Sequence, residues 1–151
     1  MDNVVAVSAN STYTVATKSD GSLWAWGDYY WADLNSGEIV RQNIPVHIMD
    51  DVVDVHVELS RMMIIRTDGG LWHWALDAWY AQEHGKAINW SEPIFIMNDV
   101  VAVSSGTSHT LALQSDGSLW TWGRNRYGQL GDGTTTDRDY PVKIMGNIML
   151  P

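Results

Sequence analysis

The chain has no cysteine, one phenylalanine, four prolines and only nine basic residues among 151. Without cysteine there are no disulfides, no thiol catalysis and no thiolate metal sites. Nine scattered Lys and Arg against eighteen acidic residues leave a net charge of −9. That balance argues against a nucleic-acid partner, because phosphate binding needs clustered cations. No apolar run is long enough to span a bilayer. What is abundant is tryptophan and tyrosine, nine and six copies. Both carry a polar handle and suit positions half in the core and half at the surface. The length suffices for one domain that buries roughly two-thirds of its unfolded surface.

Those aromatics are placed with a period. Asp20-Gly21, Asp68-Gly69 and Asp116-Gly117 stand 48 residues apart, and each precedes a Leu-Trp-x-Trp tetrad: Leu23 to Trp26, Leu71 to Trp74, Leu119 to Trp122. Pro45, Pro93 and Pro141 keep the interval, as do Met49, Met97 and Met145. The repeats run 1–48, 49–96 and 97–144, and 145–151 starts a fourth. Together they form one structural domain. Met1-Asp2-Asn3-Val4-Val5 is in register with the later repeat boundaries and reads as no secretory signal. A cut-out piece or a mature segment is the expectation.

Within each repeat the apolar spacing is two, which predicts strands. The first covers 4–9, 52–57 and 100–105; the second covers 13–18, 61–66 and 109–114. Asp-Gly then predicts a two-residue type I′ hairpin. The third strand sets both Trp of the tetrad on one face. A longer stretch follows, residues 27–43 in the first copy. A short edge strand opens on proline, 45–49 in the first copy. Four antiparallel strands per repeat cannot bury an aromatic face alone and must stack on their own kind. The expected fold is all-β, a β-propeller, with a linear β-solenoid as competitor.

Repeat three runs from Val101-Ala-Val-Ser-Ser-Gly106 through His109, Asp116-Gly117 and Trp120-Thr-Trp122-Gly123 to Tyr127-Gly128-Gln129-Leu130-Gly131. It resembles the repeat of the regulator of chromosome condensation family. Copy one has Asn10 and Tyr13 where copy three has Gly106 and His109; copy two has Glu58, Arg61 and Ala75 in place of Gly123. The resemblance implies a propeller, commonly of seven blades, and three repeats are too few to close one. It also implies families as different as guanine-nucleotide exchange factors and a bacterial inhibitor of β-lactamases. The Asp-Gly-Ser-Leu-Trp style looks bacterial, which weakly favours a secreted or cell-surface protein. An open fan would expose apolar faces and strand edges. The expectation is therefore a fragment or a homo-oligomer, such as a dimer forming a six-bladed ring.

The paired tryptophans read as blade-to-blade packing rather than a sugar platform. The segment after each tetrad diverges while the framework holds, as displayed loops do. Its candidate partner-binding residues are Tyr29, Tyr30 and Trp31, then Asp77, Trp79 and Tyr80, then Arg124, Arg126 and Tyr127. Trp, Tyr and Arg dominate protein-protein hot spots. Trp31, Trp79 and Tyr127 share one repeat position, so a structural ring is the competing reading.

His109 corresponds to Tyr13 and Arg61, so it reads as framework. The remaining histidines lack metal-ligand spacing, and residues 132–137 lack the graded carboxylates of a calcium loop. No nucleophile motif or phosphate cradle stands out. The sequence thus predicts no catalysis, cofactor or metal, and a protein-binding propeller. One alternative is a carbohydrate-binding surface module using Trp31, Trp79 and Trp90; another is a purely architectural fragment that self-assembles.

Overall fold

Twelve strands form three antiparallel sheets, and there is no helix among the described residues. The computed structural model describes residues 1–32, 39–58, 61–75 and 93–146, with the backbone alone at 28–32, 39–41 and 75. The first sheet holds β1 (Val4–Ala9), β2 (Tyr13–Lys18), β3 (Leu23–Ala32) and β4 (Ile39–Met49). The second holds β5 (Val52–Glu58), β6 (Arg61–Arg66), β7 (Leu71–Ala75) and β8 (Ile94–Met97). The third holds β9 (Val100–Gly106), β10 (His109–Gln114), β11 (Leu119–Gly123) and β12 (Arg138–Met145). Each sheet keeps its strands in chain order, so each is one propeller blade.

The hairpins between second and third strands differ from the expected type I′ turn. Type I′ needs positive φ at both central residues, yet only the glycines have it: Gly21 at +82°, Gly69 at +78°, Gly117 at +80°. The Lys18 amide donates to the Ser22 carbonyl at 2.9 Å, and the Gly21 amide donates to the Lys18 carbonyl at 2.9 Å. The loop is therefore three residues, a turn followed by a left-handed glycine. The aspartate side chain closes the turn instead. Asp20, Asp68 and Asp116 each accept a hydrogen bond from the amide two residues on, at 3.0, 2.9 and 2.8 Å, which fixes an Asx turn.

A second backbone device recurs at the blade starts. Asn3, Asp51 and Asp99 sit at φ of +63°, +63° and +60°, a conformation that Asn and Asp tolerate. Their carbonyls accept from the Ser19, Thr67 and Ser115 amides at 2.8, 2.9 and 2.8 Å. Each left-handed residue thus ties its own hairpin to the entry of its first strand.

Consecutive blades meet mainly through their first and second strands, with β1 against β5 and β5 against β9. The alternation of the strands gives every blade two faces. Toward the following blade point Tyr13, Val15, Leu23 and Ala25 of blade one, packed against Val52, Val55, Met62, Ile64 and Trp74 of blade two. Met63, Ile65 and Leu71 of blade two likewise pack on Val100, Ala112 and Trp122 of blade three. Leu23 and Leu71 are wholly buried, and each contributes about 2 kcal/mol to its joint. The tetrad therefore splits: its leucine faces the next blade, its tryptophans the preceding one.

The blades are also stitched by main-chain atoms. The Val52 amide donates to the Gly21 carbonyl and the Val100 amide to the Gly69 carbonyl, both at 2.9 Å. At the other end, the Tyr13 hydroxyl donates to the Arg61 carbonyl at 3.4 Å and Arg61 Nη2 to the Thr107 carbonyl at 3.1 Å.

The last strand is longer than expected in two blades. β4 and β12 begin before Pro45 and Pro141, and β8 begins just after Pro93. All three are outer edge strands, where a missing amide costs no ladder bond on the open side.

Candidate functional site

Of the three divergent segments, the third is described with its side chains. Tyr29, Tyr30 and Trp31 lie on β3, so a strand stands where a loop was expected. Asp77, Trp79 and Tyr80 lie outside the described residues, as does Trp90. Arg124, Arg126 and Tyr127 lie on the connection between β11 and β12, residues 124–137.

The sequence of that connection dictates a rigid base. Both ends are fastened to the blade: the Arg124 amide donates to the Ser108 carbonyl at 2.8 Å, and the Asn125 amide to Asp137 Oδ1 at 2.7 Å. Two successive turns follow, closed by the Gly128 amide on the Asn125 carbonyl and the Gly131 amide on the Gly128 carbonyl. Gly128 and Gly131 stand at φ of +74° and +68°, so both turns need glycine.

Asn125 is fully buried at the centre. Its Nδ2 donates to Asp132 Oδ1 at 3.1 Å and to the Thr134 carbonyl at 3.0 Å, and its Oδ1 accepts from the Leu130 amide at 3.0 Å. Leu130 is buried too, and its carbonyl accepts from Thr121 Oγ1 at 2.9 Å. Asp132 Oδ1 also accepts from Thr134 Oγ1 at 2.7 Å, and its Oδ2 accepts from Arg138 Nε at 2.7 Å and Nη2 at 2.6 Å. The Thr134 hydroxyl bond and the Arg138 guanidinium hold the Asp132 carboxyl down at about 2. Oxygens of Asp132, Thr134 and Asp137 are thus engaged in holding the loop. No group of three or more metal-ligating side chains occurs among the described residues.

On this base stands a small aromatic and cationic apex. Tyr127 is 83% exposed, and the Arg126 guanidinium lies 5.7 Å from its ring centroid, a cation–π distance. Arg124 is exposed as well. Tyr140 on β12 is 80% exposed. The sequence reading passed over Tyr140, although its place before Pro141 marks it as a position on the outer strand.

His109 folds its ring over Gly106, where any Cβ would stand 2.8 Å from Nδ1. This explains why Gly106 and His109 change together with Asn10 and Tyr13. In blade one Asn10 Oδ1 instead accepts from the Tyr13 amide at 3.0 Å.

The first tryptophan of each tetrad also touches side chains of its own blade. Trp24 packs edge-on to His47 at 5.5 Å and Trp72 to Phe95 at 5.2 Å. Lys18 lies 5.8 Å from the Trp24 ring and Arg66 5.9 Å from that of Trp72. In blade three Gln114 accepts from Trp120 Nε1 at 2.7 Å. Trp72 and Trp74 also pack in the joint with blade one, and Trp122 in the joint with blade two.

Against known proteins, a family model described as the Regulator of chromosome condensation (RCC1) repeat matches residues 100–129, and a second of the same description matches 116–148. The three sheets overlay yeast RCC1 (Prp20), crystallised bound to Kap60, at a TM-score of 0.72 and 22% identity, over 98% of this chain and 36% of that one. Human WBSCR16 gives 0.71 and 22%, over 95% and 40%. These findings support the RCC1-repeat propeller family. At such identities the overlays carry the fold alone. The chain spans about two fifths of the length of these structures, and its three RCC1-type blades do not close into a ring. No curated protein matches the sequence.

Proposed function

We propose that the chain is a non-enzymatic protein-binding scaffold, and that the loop between β11 and β12 carries its binding apex. The observation that supports this most is the contrast within residues 124–138. A buried hydrogen-bonded core fixes the loop, while Tyr127 stands almost fully in solvent beside Arg126. A pinned loop loses little entropy when its apex is covered, so its contacts convert efficiently into affinity. Tyr and Arg are the side chains that carry such contacts. A guanidinium beside a phenol fits a protein surface bearing a carboxylate beside an apolar slot.

RCC1-type propellers are commonly protein-interaction scaffolds. The yeast protein Prp20p is described with its binding properties to Gsp1p and histones, which shows the fold in that role elsewhere. Histones are a poor match here, since a net charge of −9 attracts them without specificity and the apex itself is cationic. A further part of the proposal is that the blades act within a closed ring, joined by further blades rather than standing alone.

The test is paired affinity capture from extract of the source organism, comparing the parent chain with an Arg126→Ala/Tyr127→Ala double variant. Both side chains are solvent-exposed, so the variant keeps its fold. A protein retained by the parent and lost with the double variant supports the reading. Identical retention by both sinks it.

A further inference from the structure

The sequence holds four Asp-Gly pairs, at 20–21, 68–69, 116–117 and 132–133. In any such pair the glycine, lacking a Cβ, leaves its own amide nitrogen open to attack the aspartate Cγ. The three hairpin pairs share one backbone. Gly21, Gly69 and Gly117 stand at φ of +82°, +78° and +80°, and their amides donate to the Lys18, Arg66 and Gln114 carbonyls at 2.9, 2.9 and 3.0 Å. All three aspartates are exposed.

They differ in what grips the carboxylate. The Ser22 amide and hydroxyl both donate to Asp20 Oδ1, at 3.0 and 2.5 Å, and Lys18 Nζ lies 3.3 Å from Oδ2. The Ser118 amide donates to Asp116 Oδ1 at 2.8 Å, and the Ser118 hydroxyl bonds the same carboxylate. Asp132 is held more firmly still, by Asn125, Thr134 and Arg138. Blade two has Gly70 in place of the serine. Among the described residues, Asp68 accepts from the Gly70 amide alone, at 2.9 Å.

We propose that Asp68 is the site, among the four Asp-Gly pairs, at which this chain spontaneously forms isoaspartate, and that the product loosens the contact between blades two and three. The Gly69 nitrogen bonds to Asp68 Cγ, and its proton departs with the hydroxyl of the protonated carboxyl as water, closing a succinimide ring. Water then opens the ring at one of its two carbonyls. Addition at Cγ breaks the new bond and restores aspartate. Addition at the Asp68 main-chain carbonyl breaks its bond to the Gly69 nitrogen, frees that carboxylate and routes the chain through Cβ and Cγ. One water leaves and one returns, so nothing is oxidised and the mass is unchanged.

To react, the carboxylate must leave its donors, rotate toward the glycine nitrogen and take up a proton. Ser22 and Ser118 oppose each step, and their hydrogen bonds hold Asp20 and Asp116 below the ordinary carboxylate range. At Asp68 a single backbone bond stands in the way. One hydroxyl donor fewer on a carboxylate corresponds to about a tenfold difference in rate. The product inserts a methylene ahead of Gly69, whose carbonyl accepts from the Val100 amide of blade three at 2.9 Å. This inference is independent of the apex reading, which concerns a different loop.

The experiment ages the whole chain in warm neutral buffer and reads isoaspartate at each pair by fragment-ion mass spectrometry, with Gly70→Ser and Ser22→Gly variants. Asp68 should accumulate isoaspartate about tenfold faster than Asp20 or Asp116. Gly70→Ser should slow Asp68 toward the other turns, and Ser22→Gly should speed Asp20 toward Asp68. In concentrated urea, where no turn is folded, the lead of Asp68 should vanish. Equal rates in the native chain, a faster pair elsewhere, a Ser22→Gly variant whose Asp20 stays slow, or a lead that persists undiminished in urea would each overturn the site. Hydrogen exchange of the Val100 amide should be faster in the isoaspartyl fraction than in the parent. Unchanged exchange there overturns the loosening.

Discussion

Replacing Asn125 by alanine tests whether the loop after β11 is held from within. The side chain is fully buried and makes three good hydrogen bonds, to Asp132, the Thr134 carbonyl and the Leu130 amide. Each contributes about 1 kcal/mol net, and the groups left behind are partly shielded from water, so the loss is about 3 kcal/mol. That is a large share of the stability of a domain this size, but less than the whole. The damage should be local. Native-state hydrogen exchange at the Leu130 amide should speed up about a hundredfold, while the amides of β2 and β6 keep their protection. Asn125→Asp sharpens the test. It preserves the acceptor for Leu130 but turns the donor into a carboxylate facing Asp132 and a carbonyl, so it should be at least as harmful. Leu130 protection unchanged in the alanine variant, or an aspartate variant that behaves like the parent, would refute the assigned network.

Gly123→Ala should cost at least about 3 kcal/mol in urea unfolding, because φ is +107° and a Cβ would stand 2.7 Å from His109 Cα and against the Ser108 carbonyl; a loss under about 1 kcal/mol would contradict the backbone geometry. Gly70→Ser should raise stability by about 1 kcal/mol. Trp72 Nε1 is buried without a partner among the described residues, whereas Ser22 Oγ serves Trp24 Nε1 at 2.9 Å; a lowered melting temperature would show that the tight space at Gly70 outweighs the new bond. Acid should act through the turn carboxylates. Hydrogen bonds from Ser22 hold Asp20 down at about 2, and hydrogen bonds from Ser118 lower Asp116, from an ordinary value of 3.8. Folded values below unfolded ones mean that their contribution is complete above about pH 4 and disappears as pH falls toward 2. The urea midpoint should therefore drop faster over that window in the parent than in an Asp20→Asn/Asp116→Asn variant, and equal slopes would exclude the effect.

The blade architecture was legible because its signals are local and repeated three times. The second strands 13–18, 61–66 and 109–114 fell where the alternation put them, since every other residue must enter a joint. What the alternation could not supply was direction. It placed both tryptophans of a tetrad on one face, but only the stacked blades reveal that this face looks backward while the leucine looks forward. The hairpin differs from type I′ because an Asp-Gly pair fits two loop geometries, and here the aspartate side chain caps the amide two residues on while only the glycine takes positive φ. The left-handed Asn3, Asp51 and Asp99 were visible as a recurring Asn or Asp before Val-Val, yet nothing local says that their carbonyls will receive the hairpin. Of the proposed apex, Arg126 and Tyr127 stand out in the sequence through divergence among the copies. The buried network beneath them does not, because Asn125, Asp132 and Arg138 become partners only once two glycine turns fold the chain back.

The bond between a hairpin glycine and the next blade's first valine involves no side chain at all. Seams made of main chain are indifferent to what evolution writes between them. Exchange of one 48-residue module for another therefore leaves these bonds in place, and only the side chains packed across the joint have to match again.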